Sequence, residues 1–134
     1  MLRSLSIRDF VIVDHIELEF MPGFTALTGE TGAGKSILID ALALALGERG
    51  DASVVRQGAE RTEIFAEFDT AGVRGLMRWL EENDLVGDDG ACLLRRVIDG
   101  GGRSRAFING RAATLAQLRE AGSHLIDIYG QHEH

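Results

Sequence analysis

The sequence predicts a mixed α/β fold in which antiparallel strands accompany one strand–loop–helix unit centred on residues 29–36. Three observations predict it. Residues 2–20 and 62–69 alternate polar and apolar side chains at strand period. Residues 35–46 and 71–83 carry helical patterns. A glycine-rich stretch, Gly29-Glu30-Thr31-Gly32-Ala33-Gly34-Lys35-Ser36, stands between the apolar run Phe24-Thr25-Ala26-Leu27 and the apolar run Ile37-Leu38-Ile39.

Taken in order, the first strand has Leu5, Ile7 and Asp9 on one side. Residues 11–15 turn the chain into a second strand with Ile16, Leu18 and Phe20 on one side. Pro22-Gly23 then breaks the chain before the strand that feeds the glycine-rich loop. The helix over 35–46 is apolar nearly all round, which predicts burial on most faces, and Gly47 supplies its stop. A polar loop over 48–61 carries Arg49, Arg56 and Arg61. The strand after it places Ile64, Ala66 and Phe68 on one face. In the helix over 71–83, Val73, Leu76, Met77 and Leu80 form a core stripe with Trp79 on its flank. Strands over 91–99 and 103–109 pair across Gly100-Gly101-Gly102, and Asn109-Gly110 marks a further tight turn. Thr114 caps a helix over 115–121 that stops at Gly122, and a short apolar strand, His124–Tyr129, leads into Gly130-Gln131-His132-Glu133-His134.

The glycine-rich stretch has the spacing of a phosphate-binding loop: Gly, four residues, then Gly-Lys-Ser. Glycines let the backbone curl closely around a polyphosphate, so that amide N–H groups point at its oxygens. The following helix adds the positive end of its dipole. Lys35 then reaches the outer phosphates and the Ser36 hydroxyl ligates Mg²⁺. Lys35 is the one lysine among fourteen Lys plus Arg residues, so a chain that uses Arg elsewhere uses a compact ammonium here.

Composition narrows the function classes. At 134 residues the chain is one domain's worth and can bury a sizeable core. No apolar run is long enough for a transmembrane helix, and the amino terminus lacks a signal-peptide core, so no membrane role is expected. Cys92, the one cysteine, permits no internal disulfide and no thiolate metal cluster; it reads as a small buried strand residue in a protein of the reducing cytoplasm. The net charge of −7 does not advertise nucleic-acid binding by the chain as a whole. Arg49, Arg56, Arg61, Arg95, Arg96, Arg103, Arg105 and Arg111 could form local patches, although strand alternation is expected to scatter several of them. Hydrolysis of a bound nucleotide further requires an acid on a second apolar strand. Asp99 and Asp127, each following a short apolar run, are the candidates, and the bland reading of both is a polar strand end.

Ser4–Phe10, Ile16–Phe20, Pro22-Gly23, Gly29–Ser36 and Asp40-Ala41-Leu42 together resemble the amino-terminal lobe of an SMC-like, ABC-type P-loop ATPase head. Within that group the chain is similar to the RecN family of bacterial DNA repair proteins. The residues that carry this are Arg78–Asn83, Cys92–Ile98, Gly102–Gly110 and Gly130–His134. The resemblance covers residues 1–134 and implies that Gly29, Glu30, Thr31, Gly32, Ala33, Gly34, Lys35 and Ser36 bind ATP with Mg²⁺ on Ser36. It places Gln131 at the Q-loop glutamine, which completes the Mg²⁺ shell and senses the γ-phosphate; the flanking His132-Glu133-His134 then reads as Q-loop and not as a metal cluster. Arg56 falls where such heads carry an arginine implicated in DNA contact or ATPase control. The strand acid followed by glutamate, the Leu-Ser-Gly-Gly signature, the switch histidine and the coiled coil are not in the sequence, and in the family they lie in the coiled coil and the carboxy-terminal lobe. The resemblance therefore implies a probable fragment, whose partners are that lobe, a second head in a homodimer, and DNA. It also implies a cytoplasmic, nucleoid-associated protein active in double-strand-break repair. Two other classes stay open on the residues alone: a self-contained small P-loop phosphotransferase using Asp99 or Asp127, and a nucleotide-gated binding module without hydrolysis.

Overall fold

A computed structural model describes residues 2–20, 32–88 and 90–128. Six strands form one antiparallel sheet: β1 (Leu2–Phe10), β2 (Val13–Glu19), β3 (Arg61–Asp69), β4 (Ala91–Asp99), β5 (Ser104–Ile108) and β6 (Arg111–Ala113), in the order β2-β1-β3-β4-β5-β6. Three helices, α1 (Gly32–Ala45), α2 (Arg74–Glu82) and α3 (Leu115–Ile128), share one core with a single face of that sheet. A 3-10 turn, Ala52–Val54, lies between α1 and β3.

Alternation drives the layering. Ile64, Ala66 and Phe68 of β3 and Cys92, Leu94 and Ile98 of β4 are fully buried on the inner face, against Leu44, Ala45, Leu76, Leu80 and Leu118 of the helices. Cys92 occupies the place expected of it, and burial pushes its thiol up to about 12. The edge strand β2 keeps its apolar side only half covered, as an edge with one neighbour must.

The turn signals hold. Asn109 and Gly110 take φ of 52° and 83°, the pair of left-handed residues that a two-residue hairpin between β5 and β6 needs. The Asn109 side chain ties two more segments together: its Oδ1 accepts from Leu93 N–H at 2.8 Å and its Nδ2 donates to Leu85 O at 2.6 Å. At the start of α3, Gln117 N–H donates to Thr114 Oγ1 at 3.0 Å while Thr114 N–H donates to Gln117 Oε1 at 2.9 Å, a reciprocal capping box.

Three expectations need correction. The first strand does not keep its phase: Asp9 takes φ of 53°, which turns Phe10 into the core at 1% exposure and leaves Asp9 off the Leu5/Ile7 side. The turn into β2 is correspondingly only Val11–Ile12. Helix α3 does not stop at Gly122, and residues 124–128 are helical, not a strand. Gly122 is present for packing: a Cβ there would stand 2.7 Å from Leu46 O. The glycine lets α3 lie directly against the end of α1, so its poor helix propensity is overridden by a close approach. Finally, α1 is covered on one side only. Ala41, Leu44 and Ala45 are buried, Ile37, Leu38 and Leu42 are half-buried, and Ile39 is 49% exposed, because the sheet offers α1 a single surface.

The carboxyl end of α1 is closed twice. Gly47, at φ of 105°, forms a Schellman motif in which Glu48 N–H donates to Ala43 O at 3.0 Å and Gly47 N–H to Leu44 O at 3.1 Å. The Arg96 side chain, 1% exposed, crosses from β4 and donates from Nη1 to Leu44 O at 2.8 Å and to Glu48 O at 2.7 Å, and from Nε to Ser104 Oγ at 2.8 Å. Arg119 of α3 adds Nε to Gly47 O at 3.1 Å.

Replacing Arg96 by Ala should destabilise the chain by roughly 3 to 5 kcal/mol in urea titration, because carbonyls lose charge-assisted bonds worth about 1.5–3 kcal/mol each and stay buried. Replacing Gly122 by Ala should lower stability by about 1–3 kcal/mol despite the better helix former, since the methyl group must displace backbone. A raised melting temperature for that variant would refute the packing role.

Candidate functional site

The first turn of α1 is the candidate phosphate site. The helix opens at Gly32, so the amides of its first turn have no acceptor within the helix and point out along its axis. No acidic residue stands in that turn to occupy them or to cancel the positive dipole end. The Lys35 and Ser36 side chains, both exposed, project from the same turn. An anion placed before Gly32 would thus meet backbone donors, an ammonium and a hydroxyl together. Ser36 offers Mg²⁺ a hard oxygen of the kind it binds, and a polyphosphate would bring further oxygens.

The helix reaches this position by its fixed far end. Fourteen residues span about 21 Å, so the Arg96 and Arg119 contacts hold α1 roughly that far from the phosphate end. Two guanidiniums at the carboxyl end also complement the helix dipole. Burial, and secondly the charge of Arg119, lower the pKa of Arg96 from its ordinary value.

Gly29, Glu30, Thr31 and Gln131 lie outside the described residues, as do the strand expected over 24–27, Pro22-Gly23 and the His132-Glu133-His134 flank. The structure therefore brings together Lys35 and Ser36 on the turn that Gly32, Ala33 and Gly34 begin. Among the described residues no cluster of His, Cys, Asp and Glu could hold a metal ion, and no helix is long and apolar enough to cross a membrane.

Arg56 is tied to the β1–β2 hairpin. Its N–H donates to Asp9 O at 2.9 Å, and its Nη1 stands 3.5 Å from Asp9 Oδ1 and 3.7 Å from Asp14 Oδ1. Val11 N–H to Val54 O at 2.8 Å completes the junction. Sequence reading gave Arg56 no partners; the left-handed residue that aims Asp9 at it leaves no compositional trace. Beside it, Val11 (φ 54°) and Ile12 are 41% and 77% exposed.

The two candidate metal acids lose their setting. Asp99 is engaged by its own hairpin turn, accepting at Oδ1 from Gly101 N–H at 2.9 Å and Arg103 N–H at 3.0 Å. The Arg103 amide is the largest cause of its lowered pKa. Asp127 lies on α3 and does not follow a strand. A self-contained phosphotransferase built on either acid is thus not favoured.

The comparisons bear on this geometry. A family profile described as an AAA domain matches residues 4–126. DNA repair protein RecN of Xylella fastidiosa (strain Temecula1) is 55% identical over 135 residues, covering 100% of the chain and 24% of the relative. RecN of Vibrio cholerae is 52% identical over 134 residues, with the same coverage of 100% and 24%. The chain thus spans about a quarter of the length of the curated relatives it matches. A solved structure from work on ATP-driven dimerization and DNA-stimulated activation of SMC ATPases superimposes with a TM-score of 0.70 at 23% identity, over 93% of this chain and 79% of that one. The arrangement of strands and helices is accordingly the fold of SMC-type ATPase heads. Matched by the profile over most of its length and similar to RecN from end to end, the chain belongs to the AAA-domain family.

Proposed function

We propose that this chain is the ATP-binding, amino-terminal lobe, residues 1–134, of a RecN-like ATPase acting in recombinational repair of DNA double-strand breaks. The observation that carries the reading is the acid-free first turn of α1 with Lys35 and Ser36 exposed on it, directly after the Gly29-Glu30-Thr31 half of the motif. Residues 29–36 wrap the phosphates with backbone amides, and Lys35 balances charge on the outer phosphates. Ser36 and Gln131 hold Mg²⁺, which would neutralise charge on the β- and γ-phosphates. Gln131 would in addition report the γ-phosphate to the rest of the head.

The site is composite in this reading. Neither candidate acid keeps its expected setting, and the side of α1 that carries the exposed Ile39 fits the docking of the carboxy-terminal lobe. A second head in a homodimer would close over the nucleotide, as in the ATP-driven dimerization of the structurally similar SMC ATPase. Arg56, held ready by Asp9 and Asp14, is the residue we assign to DNA contact or ATPase control. The complete protein would work on DNA in the cytoplasm, associated with the nucleoid.

Titration with a fluorescent ATP analogue and Mg²⁺ tests the binding reading. Lys35→Ala should weaken affinity by about 10- to 100-fold, the worth of one charge-assisted contact; unchanged affinity would refute the assignment. ATP turnover by the isolated chain should be negligible, and robust hydrolysis by residues 1–134 alone would refute the composite site.

A further inference from the structure

The register of the sheet sorts the arginines by face. Thr62, Ile98 and Ala106 point into the core, so their neighbours Arg61, Val97, Asp99 and Arg105 point outward, with Arg61 opposite Asp99 and Arg105 opposite Val97. Arg103 follows in the β4–β5 turn. The three guanidinium-bearing residues line one open cleft of about 470 Å³ at this end of the outer face. Several of the arginines are scattered as expected, with Arg96 in the core, Arg56 on the β1–β2 hairpin and Arg49 beside Arg119 in a separate cleft, while Arg61, Arg103 and Arg105 gather here.

We propose that this cleft, with Arg61, Arg103 and Arg105, is a contact surface for the phosphate backbone of DNA. The inference rests on the reading of the chain as part of a DNA repair ATPase. Among the described residues no carboxylate lies within 4.0 Å of the guanidinium of Arg103 or Arg105, and Asp99 attracts both only at longer range, so neither is locked in a close ion pair. Two carboxylates share the cleft, Asp99 held by the turn amides of Gly101 and Arg103 and Glu60, 88% exposed at the rim, 3.6 Å from Arg61, so the three guanidiniums leave a small positive excess. Arg61 and Arg105 stand on strands either side of β4 and two residues apart in register, about 12 Å apart at the backbone. Arginines so spread suit a repeating polyanion lying across the sheet better than one enclosed small anion.

The neighbouring row extends the surface. The Arg95 guanidinium lies 5.4 Å from the Phe65 ring centre and 4.6 Å from that of Phe107, with its Nη2 3.4 Å from Glu63 Oε2. Placed between two rings and paired with Glu63, it is fixed in position on the same outer face. In a chain of net charge −7 the rest of the surface repels a polyanion, which favours approach by this end.

The test is fluorescence anisotropy of a labelled DNA duplex titrated with the chain between about 50 and 200 mM salt. The chain should bind with log affinity falling linearly in log salt concentration. The double variant Arg103→Ala/Arg105→Ala should lose about tenfold or more, with a slope smaller by about 2. Arg105→Lys should retain the slope. Both side chains are exposed, and equal melting temperatures would establish that the variants fold. Absence of duplex binding, wild-type affinity and slope in the double variant, or binding of a polyglutamate peptide in place of DNA would each overturn the proposal. ATP affinity measured on the same samples separates the two readings. Loss of DNA binding with ATP binding intact bears on this cleft alone, whereas loss of ATP binding in the wild-type chain would remove the nucleotide reading itself.

Discussion

A guanidinium buried between sheet and helix holds this molecule in its arrangement. Arg96 sits in the middle of β4, at a position where the inner face elsewhere carries Leu94, Ile98 and Ile64. Its charge is tolerable there because the end of a helix supplies what it needs: carbonyls with lone pairs to spare at the negative end of a dipole. Leu44 O and Glu48 O accept from one nitrogen, and Ser104 Oγ accepts from Nε. A hydrophobic residue could fill the same volume, but it would leave carbonyls unsatisfied and would not fix where α1 ends. The bond set therefore specifies the axial position of α1 on the sheet, which area burial alone, being non-directional, leaves loose.

That fixation matters at the opposite end of the helix. A phosphate site made of backbone amides has no side chain that can adjust to a misplaced ligand, so its geometry is only as good as the placement of the helix that bears it. Arg96, Arg119 and the Gly122 contact with Leu46 converge on one end of α1 and leave the other free to meet an anion. The covered and uncovered sides of α1 divide along its length in the same spirit. Ala41 and Ala45 let the helix lie close to the sheet, and Ile39 faces away from it. A helix apolar on both sides is built to lie between two layers, and the described residues furnish one.

Charge follows the same logic of faces. Consecutive arginines 95 and 96 point to opposite sides of β4, so one becomes a structural clamp and the other a half-exposed residue between Phe65 and Phe107. Arg56 has a third fate, tied by backbone and side chain to a hairpin whose left-handed Asp9 aims a carboxylate at it. Identical side chains thus serve in the core, on the surface and at a hairpin junction.

The sequence by itself determined what short-range physics controls. Strand alternation located the buried faces of β3 and β4, Asn109-Gly110 located a tight turn, Thr114 located a cap, Gly47 located the end of α1, and Gly29–Ser36 carries the spacing of a phosphate loop. Each of these is a pattern within a few residues, where spacing and side-chain type suffice. The tertiary structure decided the rest. Gly122 reads locally as a helix stop, yet Leu46 O, just past the end of α1, passes 2.7 Å from where its Cβ would be, and the helix continues to Ile128. Asp9 reads as one more alternating position, yet its positive φ reverses the phase and brings Phe10 inward. Arg96 reads as one of many surface arginines, since only the register of β4 against β3 and the landing point of α1 reveal its acceptors. Contacts between segments some fifty residues apart leave no trace in local spacing; they exist only once the chain has folded.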